Sequence, residues 1–301
     1  MLAYSDLAFG DQKGYEAAPE DVPYEPPKHR HGEYDTGPGD EFARLFMGGQ
    51  PGLEWPDFNT LGANAHLSFG TGSIYRGRPD EAYALILADQ QSHDDLFTGR
   101  ALTGEAGQHM QPFLEAIGLK KAYLILRVLP VDTLDLSVSR VRSIIDHSQV
   151  RKVYQAMVDL VRARNDDLGI MLTFGRHADH LARNLNMSGL PRVALKAWKD
   201  SGAPADWQNQ LNDIRETSYR REISNPSFDY DGRRGQIPRY DLPYGVRRWV
   251  GTSGDRARQA RDQSTSKPSP DYYKLFVPDW VYALDPEALS PEEQTVVQNA
   301  P

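Results

Sequence analysis

Residues 85–119 read LILADQQSHDDLFTGRALTGEAGQHMQPFLEAIGL, a strand, a polar loop and a helix in succession. Tyr83 to Ala88 is a short, sharply bounded apolar run, as a strand buried on both faces requires. A polar loop follows, carrying Asp89, Gln90, Gln91, Ser92, His93, Asp94 and Asp95, and then the turn Thr98-Gly99-Arg100. From Glu105 to Ile117, Ala106, Met110, Phe113, Leu114 and Ile117 recur at helical spacing, and Gly118 is placed to end that helix. In an open α/β sheet, ligands are handled in loops at the carboxyl ends of strands, so Asp89 to Ser92 stand where chemistry is expected.

Working outward, Ala122 to Leu129 forms a second apolar run stopped by Pro130. Arg151 to Arg164 is amphipathic through Val153, Met157, Leu160 and Val161. Gly169 to Phe174 predicts a third strand, leading through Gly175 into a helix from Arg176 to about Leu185. Arg192 to Trp198 predicts a fourth, and Asp206 to Tyr219 a further helix. Four strands joined by crossovers of this length imply an α/β fold: a three-layer α/β/α sandwich with a central, mainly parallel four-stranded sheet. The expected organisation is a Pro- and acid-rich N-terminal extension (1–63, with a short helix near Asp40 to Met47), a core (64–205), and an Arg-rich C-terminal extension (206–301). The apolar patch Tyr272 to Leu284 is expected to pack back on the core.

At 301 residues the chain can bury a sizeable core. It shows no membrane-length apolar run and opens with no signal-peptide pattern, so a cytoplasmic location is expected. The absence of cysteine excludes disulfides, zinc–thiolate sites and iron–sulfur clusters. His177 and His180 lie three apart but lack a matching carboxylate, and His29-Arg30-His31 reads as a surface turn, so no metal is expected. The net charge of -8 hides an asymmetry. Residues 1–60 hold twelve acids against four Lys and Arg, whereas eleven Arg against six acids lie between Arg215 and Arg261. Arg233, Arg234, Arg247 and Arg248 are candidates for phosphate contacts, the alternative being a solvated face paired with nearby acids.

The words ADQQS (Ala88 to Ser92), TGRALTGEAGQ (Thr98 to Gln108) and EAIGL (Glu115 to Leu119) together resemble the first motif region of the uracil-DNA glycosylase superfamily. The closest likeness is to the branch reading G-E-A-P-G, then T-G-R-P-F-V-G-x-A-G-Q, then A-I-G-L. The resemblance implies base flipping and hydrolysis of an N-glycosidic bond in double-stranded DNA, without a cofactor. Such a reaction needs a carboxylate on the sugar side and donors on the base side, where negative charge develops.

Carried over residue by residue, Asp89 stands in for the motif's Glu, and Gln90 stands where another branch keeps a water-activating Asp. Asp94 and Asp95 are reserve carboxylates, better read as a cap or a loop salt bridge. Four departures concern the base. Arg127 stands at or near the family's uracil-reading Asn, Leu102 replaces its stacking Phe, and Ser92 replaces a bulky Tyr. Where H-P-S is expected, the chain reads LKAWKDSGAP, leaving Lys196, Trp198 or Lys199 in that space. With His93, these residues form the expected substrate-binding set. Members of that branch usually carry a four-cysteine cluster, so something else must tie these segments down.

The expectation is an enzyme that excises a non-uracil base, such as a bulky 5-modified cytosine of phage DNA, in antiviral defence. A uracil or mismatch repair glycosylase, a glycosylase-fold DNA-binding protein without chemistry, and an unrelated α/β hydrolase of small nucleotides are the alternatives.

Overall fold

The computed structural model describes residues 34–48, 50–63, 74–92, 95, 98–216 and 230–242. His93, Asp94, Arg247, Arg248, the His29–His31 turn and the Tyr272–Leu284 patch lie outside the described residues. The elements, in chain order, are α1 (Asp40–Met47), β1 (Tyr75–Gly77), β2 (Ala84–Ala88), α2 (Glu105–Ala116), β3 (Tyr123–Arg127), α3 (Val138–Ile145), α4 (Ser148–Arg164), β4 (Ile170–Phe174), α5 (Arg176–Arg183), β5 (Arg192–Leu195) and α6 (Ala203–Glu216). A 3-10 turn at Arg239–Asp241 follows.

The fold is α/β, and among the described residues its sheet has five strands in the order β1-β3-β2-β4-β5. β2 is parallel to β3 and β4, and β4 to β5. The four strands expected from sequence are all present, and among the described residues a further strand, β1, joins them. β1 pairs antiparallel to β3, with Tyr75 opposite Leu126 and Gly77 opposite Leu124. Its three residues are too few for a periodic signal, and Arg76 breaks the apolar run by which buried strands are recognised. β5 also stops earlier than expected, at Leu195, because the Lys196 N–H is taken by Asp206 Oδ2 at 2.8 Å rather than by another strand.

Successive strand residues alternate between two apolar clusters, as period-two geometry demands. Leu85, Leu87, Leu124, Leu126 and Met171 join Val153, Tyr154 and Met157 of α4 and Ala178 and Leu181 of α5. Ile86, Ala88, Ile125, Leu172 and Phe174 join Met110, Phe113 and Leu114 of α2 and Trp207 and Leu211 of α6. Each such large side chain contributes about 1.5–3 kcal/mol by leaving water.

The N-terminal residues described here belong to the first of these cores: Phe42, Leu45, Phe46, Trp55 and Phe58 pack into it. Trp55 Nε1 donates to Phe46 O at 2.9 Å, satisfying a carbonyl at the end of α1. α3 and the first turn of α4 are not apparent from periodicity. Both are set by caps, Ser137 Oγ accepting from Arg140 N and His147 Nδ1 from Gln149 N. Among the described residues no helix is long and apolar enough to cross a membrane.

Candidate active site

The chain leaves β2 toward α2, in the second cluster, and leaves β4 toward α5, in the first. Adjacent parallel strands whose connections depart to opposite faces open a crevice at their carboxyl ends. Asp89 occupies it. Its backbone N–H donates to Phe174 O at 2.9 Å, which fixes the chain direction at the end of β2.

The Asp89 side chain reaches across to the first turn of α5. Oδ1 accepts from Ala178 N at 2.6 Å and Oδ2 from His177 N at 3.2 Å. The carboxylate thus satisfies two of the orphan amides of that helix and sits at the positive end of its dipole. Yet Asp89 is only 8% exposed, and burial, the largest influence, pushes its pKa up to about 7. The two amide bonds and the nearby Arg176 pull the other way and are outweighed, while Asp200 adds to the rise. A carboxyl group that titrates near neutrality can accept a proton in the physiological range, which an ordinary aspartate does poorly.

Gly175 makes this geometry possible. Its φ is +100°, and a Cβ placed there would lie 2.4 Å from Asp89 Oδ2. Gly175→Ala is therefore expected to displace the carboxylate and to lower the thermal midpoint, because φ +100° with ψ 169° is a region essentially reserved for glycine and adds strain of about 1–3 kcal/mol to the clash. Denaturation of the variant checks this, and an unchanged midpoint would show that the carboxylate has room to move.

The other expected site residues are placed as follows. Gln90 is buried, and its Oε1 accepts from Thr133 N (2.8 Å) and Thr133 Oγ1 (3.1 Å), bracing the segment after β3. Ser92 is half-buried. Arg127, at the end of β3, is only 2% exposed, and its Nε donates to Leu129 O at 3.2 Å. Leu102 is buried in the left-handed conformation at φ 55°, with its carbonyl pressed against Gly107, where any Cβ would clash at 1.6 Å. Asp95 is buried, and its Oδ1 accepts from Thr103 N at 2.9 Å, so it braces the loop.

After β5 the loop turns back over α2. Trp198 stacks on His109 with ring centroids 3.7 Å apart. Lys196 Nζ donates to Ser201 O at 3.2 Å, whereas Lys199 Nζ reaches Gln91 O at 2.9 Å, two residues beyond Asp89. Of the three candidates in LKAWKDSGAP, Lys199 is thus the one that touches the segment following Asp89. Arg233 Nε lies 3.9 Å from Asp231 Oδ1, and Arg234 pairs with Glu105.

No family model and no curated protein matches this chain.

Sequence reasoning passed over the groups nearest Asp89. Arg176 lies 3.6 Å from Asp200, and both act electrostatically on the Asp89 carboxyl. Spacing alone gives no reason to separate His177 from His180. His180 does pair outward, with Asp146 Oδ1 at 2.9 Å, but the His177 backbone holds Asp89 and its Nδ1 is buried without a hydrogen-bond partner. Burial, followed by the charges of Arg176 and Arg142, lowers the His177 pKa to about 4, so its ring is neutral at pH 7. The available signal was Phe174-Gly175 between an apolar run and a helix: a strand–glycine–helix turn is a place for close backbone approach.

A second cleft, of about 740 Å³, lies at the opposite end of the sheet and is lined by Glu81, Glu115, Lys120, Lys121 and Tyr240. It is remote from the crevice at Asp89.

Proposed function

We propose that this chain is a DNA N-glycosylase of three-layer α/β/α architecture that excises a non-uracil base from double-stranded DNA. The observation that carries the reading is Asp89. It is a buried carboxyl group titrating near neutrality, held at the crevice between β2 and β4 in the loop whose motif resembles the glycosylase superfamily.

In the proposed reaction the flipped nucleotide enters that crevice. The ionised Asp89 stabilises the cationic sugar and takes a proton from water as the water oxygen bonds to C1′. The N-glycosidic bond breaks with its electron pair leaving on the base. The products are the free base and an abasic site. Arg176 contributes positive charge beside the carboxylate.

The substrate class follows from the departures in the motif region. Arg127 can only donate, which suits acceptor-rich partners. Ser92 and Leu102 leave more room than ring-bearing side chains, favouring a 5-substituted cytosine of phage DNA and a role in antiviral defence. Arg127 is 2% exposed and bound to Leu129 O, so base contact through it requires the guanidinium to exchange partners. The same holds for phosphate contacts by Arg234, which must release Glu105.

One observation favours a second reading, a DNA-binding protein of this fold without chemistry: Asp89 and Gln90 both already serve backbone or loop partners. Abasic-site formation separates the two. Duplexes containing hydroxymethylated or glucosylated cytosine are expected to be cleaved after alkali, with uracil and unmodified cytosine duplexes resistant. Unpaired buried polar groups cost about 1–3 kcal/mol each, which is enough for such discrimination. Binding without abasic sites on any duplex would support the second reading. Equal release of uracil would return the chain to ordinary repair.

A further inference from the structure

We propose that Asp35 is a positioning residue for the loop leading from β2 into α2, acting through Arg100, and that segments 34–48 and 230–242 grip that loop as one clasp. The proposal extends the glycosylase reading for its activity measurement only.

Arg100, in the Thr98-Gly99-Arg100 turn, is completely buried. Its Nε donates to Asp35 Oδ2 at 2.5 Å, and Tyr75 Oη donates to the same oxygen at 2.7 Å. The other oxygen, Oδ1, accepts from Gly37 N at 3.1 Å. The guanidinium also lies over the Tyr75 ring, 5.0 Å from its centroid. The next residue, Ala101, is held from both sides: its N–H donates to Tyr75 O at 2.8 Å, and its carbonyl accepts from Arg76 Nε at 2.9 Å.

Arg76 is completely buried too, and its charge is met by Asp241, with Nη1 to Oδ2 at 2.7 Å. Two buried cations therefore fix consecutive residues of the loop, and each takes an aspartate from a different terminal segment. Those segments are bonded to each other, Asp35 N donating to Leu242 O at 3.0 Å.

On its inner side the loop closes on itself. Thr98 Oγ1 and Thr103 Oγ1 lie 2.8 Å apart, and Asp95 Oδ1 accepts from Thr103 N. Leu102, which sequence places nearest the base pocket, is the residue between these two sets of restraints and adopts a left-handed φ. A non-glycine residue holds such a conformation only where its surroundings over-determine it. The outer half of those surroundings comes from the clasp.

The test uses the full chain with Asp35→Asn, Asp35→Glu and Tyr75→Phe. Amide exchange is followed by mass spectrometry, and single-turnover excision is measured on the modified-cytosine duplex. In Asp35→Asn, exchange across 98–104 is expected to rise about ten-fold while 170–178 is unchanged. The excision rate should fall by about ten-fold or more, with half-saturation moving less than about two-fold, because misplacement affects the reacting geometry more than DNA contact. Asp35→Glu keeps the charge and should fall between Asn and wild type. Tyr75→Phe removes one bond to Asp35 but leaves the ion pair, so it should stay near wild type.

Unchanged exchange at 98–104 in a folded Asp35→Asn chain, or a loss of protection spread evenly over the sheet, would overturn the proposal. If Asp35→Asn does not fold, Asp35→Glu decides on the same criterion. A wild-type chain without excision on any duplex would remove the glycosylase reading while leaving the exchange measurement to judge the clasp.

Discussion

Asp89→Asn is expected to lower single-turnover excision by about 10²–10³ while leaving the chain folded and DNA affinity largely unchanged. The carboxamide oxygen can still accept from Ala178 N, so one end of α5 remains capped, but the group can no longer take a proton. In the wild type the ionised form is the active one, so the rate should climb with pH and level off above about 7, where the carboxyl titrates.

Stability should run in the opposite direction. A carboxyl group raised in the folded state from 3.8 to about 7 favours folding most when protonated. That contribution is full below 3.8, is lost as pH rises to about 7, and amounts to roughly 4 kcal/mol over the window. Urea denaturation at pH 4, 6 and 8 should therefore show a decline that Asp89→Asn flattens. Near-normal turnover in the folded variant would move the chemistry to Gln90, Asp94 or Asp95, and an unaltered pH slope would show that Asp89 is not the titrating group.

The second large effect is expected at Asp241. Asp241→Asn leaves the Arg76 guanidinium, fully buried, with neutral acceptors alone, among them Ala101 O, Gln111 Oε1 and the more distant Tyr123 Oη. Removing one partner of a buried pair typically costs about 3–5 kcal/mol, because the remaining charge cannot return to water. The pair is itself imperfectly satisfied, since Arg76 Nη2 and Asp241 Oδ1 have no hydrogen-bond partner. Replacing both residues by apolar ones, Arg76→Met with Asp241→Leu, should thus destabilise less than Asp241→Asn alone. A double-mutant cycle by urea denaturation measures this. A cost for Asp241→Asn below about 1 kcal/mol would mean that the buried guanidinium is hydrated or free to relocate.

How much was legible beforehand depended on the kind of signal. β2, β3 and β4 are buried at every position, and only Arg127 at the end of β3 and Thr173 in β4 interrupt their apolar residues, so they stand out as apolar runs. α2 was readable to within a residue, because its spacing and Gly118, at φ 74°, both mark its extent. β1 and α3 carry too little periodicity to be legible: β1 is three residues that include Arg76, and α3 is eight residues split evenly between apolar and polar. Asp89 could be singled out by position alone. Its partners could not, because the signal at Gly175-Arg176-His177 is a backbone turn rather than a side-chain pattern.

The mainly parallel α/β sheet, the strand end where Asp89 sits and the absence of thiol chemistry are all written in the order of residues along the chain. Hydrophobic burial is non-directional and repeats with the local geometry of strand or helix, so it is written along the chain. Which charges meet is settled by the packed fold. Arg100 finds Asp35 across 65 positions and Arg76 finds Asp241 across 165, and no spacing rule links residues that far apart. An ion pair in the interior is set by where the folded backbone delivers two side chains and how completely it excludes water. Desolvation of that same kind lifts Asp89 toward neutrality, since burial is a property of the assembled fold.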